Sequence, residues 1–382
     1  MKPPNSSADS VKPGRREAAA PASVSRFAYV GCYTSKERGG QGTGICVFRI
    51  DPTSGEWSRI QLYEIFNPSF LAFDRTRRFL YSAHGDENFI TAFAIDGQTG
   101  LLAKLNQQST GGKNTVHLSV DPSNRVLVTA NYSSGTIASF PIRDDGSLGQ
   151  MCDEVALPGE PGPDKEQQAF SHPHHIPFDN CGRFVVVPDK GLDRIFLLRL
   201  DSATGKFLSN GSCSVQAQPG AGPRHVVFHP SMPLAYVNDE LSSTVTTYHF
   251  DRDRGILREL QVLRTLPCEF AGKSKTAEIL VAPSGAYVYV SNRGHDSISI
   301  FSVAKDTSCL SLIGWQSTLG KTPRFMTLDP AGHVLYAANQ DSNTIVGFRI
   351  LADGTLTPTG EVVNTGSPSC ILFSQPGPYR EQ

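Results

Sequence analysis

Four side chains carry the groups that proton transfer on an anionic molecule would need: His174, Arg224, Glu240 and Arg293. His172, His117, His225 and Arg324 accompany them as candidate substrate contacts. A histidine or glutamate can take up and return a proton, and arginines clamp a carboxylate or phosphate through charge-assisted hydrogen bonds. The same cations would stabilise an oxyanion formed during reaction. His172 and His174 lie two residues apart, so on a strand they share a face and either can point at a ligand. Each group also has a structural reading. His117, His175 and His225 recur in adjacent repeats, which points to hydrogen bonds between repeats before catalysis. Glu240 and Arg293 can pair with each other at a junction. Asp189 and Asp193 read as turn caps, and Glu278, inside an apolar run, as a buried structural acid. No HExxH or comparable spacing is present, so neither a metal nor a cofactor is expected.

The elements that must position these groups are best read in residues 222–250, GPRHVVFHPSMPLAYVNDELSSTVTTYHF. Short runs rich in Val, Tyr and Thr, bounded by Pro, Asn, Asp and Ser, predict strands of an antiparallel meander. The unit recurs as fifteen-residue segments starting at Phe79, Val126, Phe184, Leu234, Tyr287 and Val334. Successive starts differ by 47, 58, 50, 53 and 47 residues, the period of a four-stranded propeller blade. A first strand precedes each segment: NPSFLAFD, NTVHLSVD, HPHHIPFD, GPRHVVFH, KTAEILVA and TPRFMTLD.

The chain ends supply the remaining blade. FAYVGCY (27–33) and residues 44–50 form second and third strands with no first strand before them. SPSCILFS (367–374) is a first strand with nothing after it. Joined, they close the ring and remove the open sheet edges. The expectation is therefore an all-β, seven-bladed β-propeller of four-stranded antiparallel blades over residues 26–376, with tails at 1–25 and 377–382.

Composition sets limits on partners. The 35 basic and 36 acidic residues give no electrostatic case for nucleic acid or an anionic membrane. No run of eighteen apolar residues exists to span a bilayer. The eight cysteines are scattered without a CxxC pair and read as free thiols in a reducing compartment. Cytoplasm is expected, with a monomer or weak oligomer.

In a propeller the first strand of each blade lines the central channel. Its third position holds Ser69, Val116, His174, Arg224, Ala277, Arg324 and Ser369. Its fourth holds Phe70, His117, His175, His225, Glu278, Phe325 and Cys370. The turn after the second strand holds Gly85, Tyr132, Lys190, Glu240, Arg293 and Gln340. Antiparallel pairing brings that turn beside the start of the first strand, so the columns should converge on one mouth of the channel.

The motifs SHPHHIPFD (171–179), VPDKGLDRI (187–195), GPRHVVFHP (222–230) and NDELSSTV (238–245) resemble those of the lactonase family of seven-bladed propellers. TAEILVAPSG (276–285), VSNRGHDSI (290–298) and TPRFMTLDP (322–330) extend the resemblance, which runs from about Phe27 to Phe373. It implies a metal-independent site in which His174, Arg224, Glu240 and Arg293 act on a small anionic lactone. The activities it implies are 6-phosphogluconolactone hydrolysis or, as the alternative, carboxy-cis,cis-muconate-type cyclisation. A noncatalytic propeller that binds a protein is a third possibility, because fold alone never establishes catalysis. Lys190 departs from the family's usual Leu, and AHGDENF in the second blade departs from its usual turn; both bear on substrate identity.

Overall fold

A computed structural model describes residues 26–374, excepting the side chains of Ser209, Asn210 and Ser212. The predicted tails at 1–25 and 377–382 lie outside the described residues. Seven antiparallel sheets form the blades of a propeller, six with four strands and one with three. Blade one is assembled from both chain ends. Its innermost strand, Pro368–Phe373, pairs with Arg26–Cys32, in the register Ala28↔Phe373 to Val30↔Ile371. Blades two to seven follow in chain order.

Within a blade the burial pattern follows from strand order. The two innermost strands of blade five, Pro223–Phe228 and Leu234–Asp239, are buried along their whole length. The outermost strand, Ile256–Arg264, is largely solvated. Apolar residues from neighbouring blades interlock, so the core consists of clusters between sheets. Trp57, Ile371 and Phe373 of blade one, for example, pack with Tyr336 of blade seven.

Aspartates make the tight turn after the innermost strand. Oδ1 of Asp121, Asp179 and Asp329 accepts the N–H groups of Val126, Phe184 and Val334 respectively, each at 2.7 Å. These are side-chain turn bonds of the Asx kind. At the other end of the strand, Asn67, Asn114, Gly222, Thr322 and Ser367 adopt positive φ of 36°, 60°, 66°, 59° and 42°. The recurring backbone bend turns the chain from the rim into the channel.

Blade four departs from the expected pattern. HPHHIPFD runs beside Val185–Asp189 but makes only isolated bridges, Pro173↔Asp189 and Phe178↔Val185. Pro173 and Pro177 lack the N–H that a continuous ladder requires. The segment is held instead by His174 N–H to the Pro188 carbonyl at 3.0 Å and Val186 N–H to the Pro177 carbonyl at 2.8 Å.

Candidate active site

The turn after the second strand is pinned to the start of the innermost strand by one repeated backbone bond. The N–H groups of Gly85, Tyr132, Lys190, Glu240 and Gln340 donate to the carbonyls of Asn67, Asn114, His172, Gly222 and Thr322, at 2.7–3.0 Å. These bonds bring the two columns to one channel mouth, where the charged side chains of blades four to six meet.

Glu240 is the hub. Its Oε2 accepts Arg224 Nε at 3.1 Å and Arg293 Nη2 at 3.0 Å. Its Oε1 accepts Lys190 Nζ at 3.1 Å, with Lys275 Nζ at 3.8 Å. Burial pushes the Glu240 carboxyl up, but Arg293, Lys190, Arg224 and Lys275 outweigh it and hold the group well below the usual carboxylate range. Glu240 therefore stays ionised. Burial, with Arg293 and Arg324 nearby, pushes the Arg224 guanidinium down to about 9, so it remains charged at neutral pH.

His174 lies within this cluster, 6% exposed, with Nδ1 buried and unpartnered among the described residues. Burial, then Arg224, His225, Arg324 and Lys190, hold it neutral, well below the usual imidazole range. Tyr132 meets its edge at 5.5 Å and stacks on His172 at 4.4 Å and 15°. His172 Nδ1 donates to the Tyr132 carbonyl at 2.9 Å. Arg324 is half-buried over the Tyr33 ring, 5.1 Å from its centroid, and has no hydrogen bond or ion pair among the described residues.

His117 and His225 lie one residue deeper along their strands and make contacts between blades. His117 Nδ1 accepts the Ile176 N–H of blade four at 3.3 Å, and His225 Nδ1 lies 2.8 Å from Glu278 Oε1 of blade six. Asp189 Oδ1 accepts the N–H groups of His172, Gly191 and Leu192, and Asp193 Oδ1 accepts the Gly222 N–H. Both are turn caps. Three residues join the cluster without having been singled out for it: Lys190, Lys275 and Gln167. Gln167 Oε1 accepts Lys190 Nζ at 3.1 Å and Lys275 Nζ at 3.0 Å, tying the connection between blades three and four across the mouth. Lys190 stands in the same turn column as Glu240, a signal the sequence carries. Gln167 lies outside every repeat, so no spacing marks it.

A groove of about 800 Å³ lies elsewhere, lined by Trp57, Arg59, Arg349 and Glu361, and shares no residue with this cluster. The converging charges and the unpartnered His174 nitrogen mark the channel mouth, not that groove, as the candidate active site. Among the described residues no three His, Cys, Asp or Glu side chains form a metal-binding group.

Asp239, next to Glu240, gives a stability test. Its Oδ2 accepts the Thr244 and Thr246 hydroxyls at 2.8 and 2.7 Å, while Oδ1 is buried without a partner among the described residues. Burial pushes its pKa up to about 7 despite those hydroxyls. A carboxyl raised on folding contributes stability that is fully present below its unfolded pKa and lost as pH rises through the folded one. The melting temperature of Asp239→Asn minus that of the wild type is therefore expected to increase from about pH 4 to about pH 7 and then level off. A difference that stays flat across this range would contradict the burial argument.

Comparison with known proteins agrees with this architecture. A family model, Lactonase, 7-bladed beta-propeller, matches residues 27–373. The chain is 36% identical over 349 residues to the 6-phosphogluconolactonase of Bacillus subtilis, covering 90% of this chain and 97% of that protein. It is 34% identical to the 6-phosphogluconolactonase of Formosa agariphila, covering 91% of this chain and 99% of that one. Among solved structures, the periplasmic gluconolactonase of Pseudomonas aeruginosa superimposes with a TM-score of 0.83 at 28% identity, covering 91% of this chain and 99% of that one. The chain belongs to the lactonase family of seven-bladed β-propellers.

Proposed function

We propose that the protein hydrolyses 6-phosphogluconolactone to 6-phosphogluconate. The relatives from Bacillus subtilis and Formosa agariphila support the substrate. The observation that carries the reading is the excess of positive charge at the mouth. Arg224, Arg293, Lys190 and Lys275 share the Glu240 carboxylate, and Arg324 beside them makes no ion pair or hydrogen bond among the described residues. A phosphorylated ligand supplies the missing negative charge.

The chemistry follows from the protonation states. His174 is neutral and can accept a proton from water as the water oxygen attacks the lactone carbonyl. In the empty site burial first, and then the cations, depress its basicity. A bound anion offsets the cations' share and so raises its pKa, in the direction that favours a general base. Arg224 and Arg293 stabilise the oxyanion of the tetrahedral intermediate. When the bond from C1 to the ring oxygen breaks, the imidazolium of His174 returns its proton to that oxygen. Glu240 orients the arginines and lysines and is too well paired to serve as the base. In this reading the protein acts in the cytoplasm, in the pentose phosphate pathway, on a freely diffusing lactone.

The test is hydrolysis of freshly generated 6-phosphogluconolactone, with the spontaneous rate subtracted, beside unphosphorylated gluconolactone. Charge-assisted contacts to phosphate predict a kcat/KM about 10–100-fold higher for the phosphorylated lactone. Equal rates would transfer the reading to the unphosphorylated substrate of the Pseudomonas relative. No acceleration of either lactone would overturn it.

A further inference from the structure

The fourth position of the innermost strand has a recurring task. In three blades its side chain accepts the N–H of the fifth residue in the next blade. Cys370 Sγ accepts from Leu71 at 3.4 Å, His117 Nδ1 from Ile176 at 3.3 Å, and His175 Nδ1 from Val226 at 3.2 Å. Two of these acceptors are imidazoles held neutral by burial and nearby positive groups. A neutral imidazole that accepts at Nδ1 carries its proton on Nε2.

His225 occupies the same position and does something else. The N–H it would take, that of Ile279, is taken by Glu278 Oε1 at 3.1 Å. His225 Nδ1 faces that same oxygen at 2.8 Å, and its Nε2 lies 3.0 Å from Arg224 Nη1. A guanidinium has no acceptor, so His225 Nε2 must be the acceptor and the proton must sit on Nδ1. His225 thus holds the opposite tautomer to His175, although the two rings stack at 4.2 Å and 10°. Glu278 makes this arrangement possible, because it removes the backbone donor and offers an acceptor to Nδ1–H.

We propose that Glu278 is a positioning residue that fixes the tautomer of His225, so that His225 Nε2 holds Arg224 in its working orientation. The hydrogen-bond logic stands independently of the substrate; the kinetic consequence rests on the lactonase reading above. With an apolar residue at 278, the Ile279 N–H would turn to His225 Nδ1, as its counterparts do in blades four and five. The proton would move to Nε2 and face the N–H groups of Arg224. Two donors repel, and Arg224 would swing away from its place beside Glu240.

The test combines long-range proton–nitrogen NMR of His225 with kinetics of two variants. The wild type should show the Nδ1–H form, and Glu278→Leu the Nε2–H form with kcat lowered by about 10–100-fold. Glu278→Gln, whose amide oxygen can still accept both N–H groups, should keep the wild-type tautomer and a kcat within about threefold. A role confined to packing would lower the melting temperature of Glu278→Leu and leave the tautomer unchanged. The proposal is overturned by an Nε2–H tautomer in the wild type, by unaltered kcat in Glu278→Leu, or by Glu278→Gln losing as much as Glu278→Leu. If Glu278→Leu does not fold, the wild-type tautomer and Glu278→Gln decide. If the wild type opens no lactone, the tautomers of the wild type and both variants still test the hydrogen-bond logic, and only the lactonase reading falls.

Discussion

Replacing Arg224 by alanine is expected to lower kcat for lactone opening by about 10²–10³-fold, the usual cost of losing one donor to a developing oxyanion. Arg224 lies at the third position of its channel-lining strand, 2% exposed, where a charge would be costly without partners. Its guanidinium is held at Nε by Glu240 and at Nη1 by His225 and the Ala277 carbonyl. That preorganisation is what gives a buried donor its catalytic worth. The fold should survive, because Glu240 keeps Arg293, Lys190 and Lys275 as partners. Arg224→Lys should not restore the rate, since an ammonium lacks the planar fork that contacts several acceptors at once. Steady-state kinetics and a thermal melt decide the matter. A variant with near-normal kcat and an unchanged melting temperature would remove Arg224 from the chemistry.

The second large effect concerns the ring. A chain ending at residue 366 should fail to fold cooperatively, because it lacks the innermost strand of blade one. That strand carries Cys370, Ile371 and Phe373, at 0%, 0% and 6% exposure. Full burial of a large apolar side chain contributes roughly 1.5–3 kcal/mol, and whole domains have only about 5–15 kcal/mol in hand. The deletion also removes the ladder to Arg26–Cys32 and leaves that strand an open edge. Circular dichroism and size-exclusion chromatography should show a broad melt and aggregates. Phe373→Ala, a milder probe, should cost about 3–5 kcal/mol. A truncated chain that melts as sharply as the full one would mean that closure contributes little.

Much of this molecule was legible in its sequence because a repeat averages out local ambiguity. No single run such as LAYVND proves a strand, but six segments of equal length with turn residues in the same columns define a blade, and aligned columns then forecast which side chains meet. What the columns could not give was partner count. The types of Glu240 and Arg293 suggested a pair, whereas the structure places four cations around that carboxylate. This is why Glu240 reads as a clamp and not as a base. Lys275 was missed because it opens its strand at a position where the other blades carry Asn, His, Gly, Thr or Ser, so no recurring charge marks the column. The interrupted strand of blade four was foreseeable from Pro173 and Pro177, whose lack of an N–H outweighed the periodic pattern around them.

Closure by the last strand also sets an order in time. Strand Arg26–Cys32 is synthesised well before its partner Pro368–Phe373, which lies about 340 residues further along the chain. At ~5–20 residues per second, roughly 17–70 s separate the two on the ribosome. Throughout that interval Arg26–Cys32 lacks its inner partner and presents an unsatisfied backbone edge, and the ring cannot lock. The channel, and with it the site at its mouth, becomes whole only once Pro368–Phe373 has emerged and paired with Arg26–Cys32.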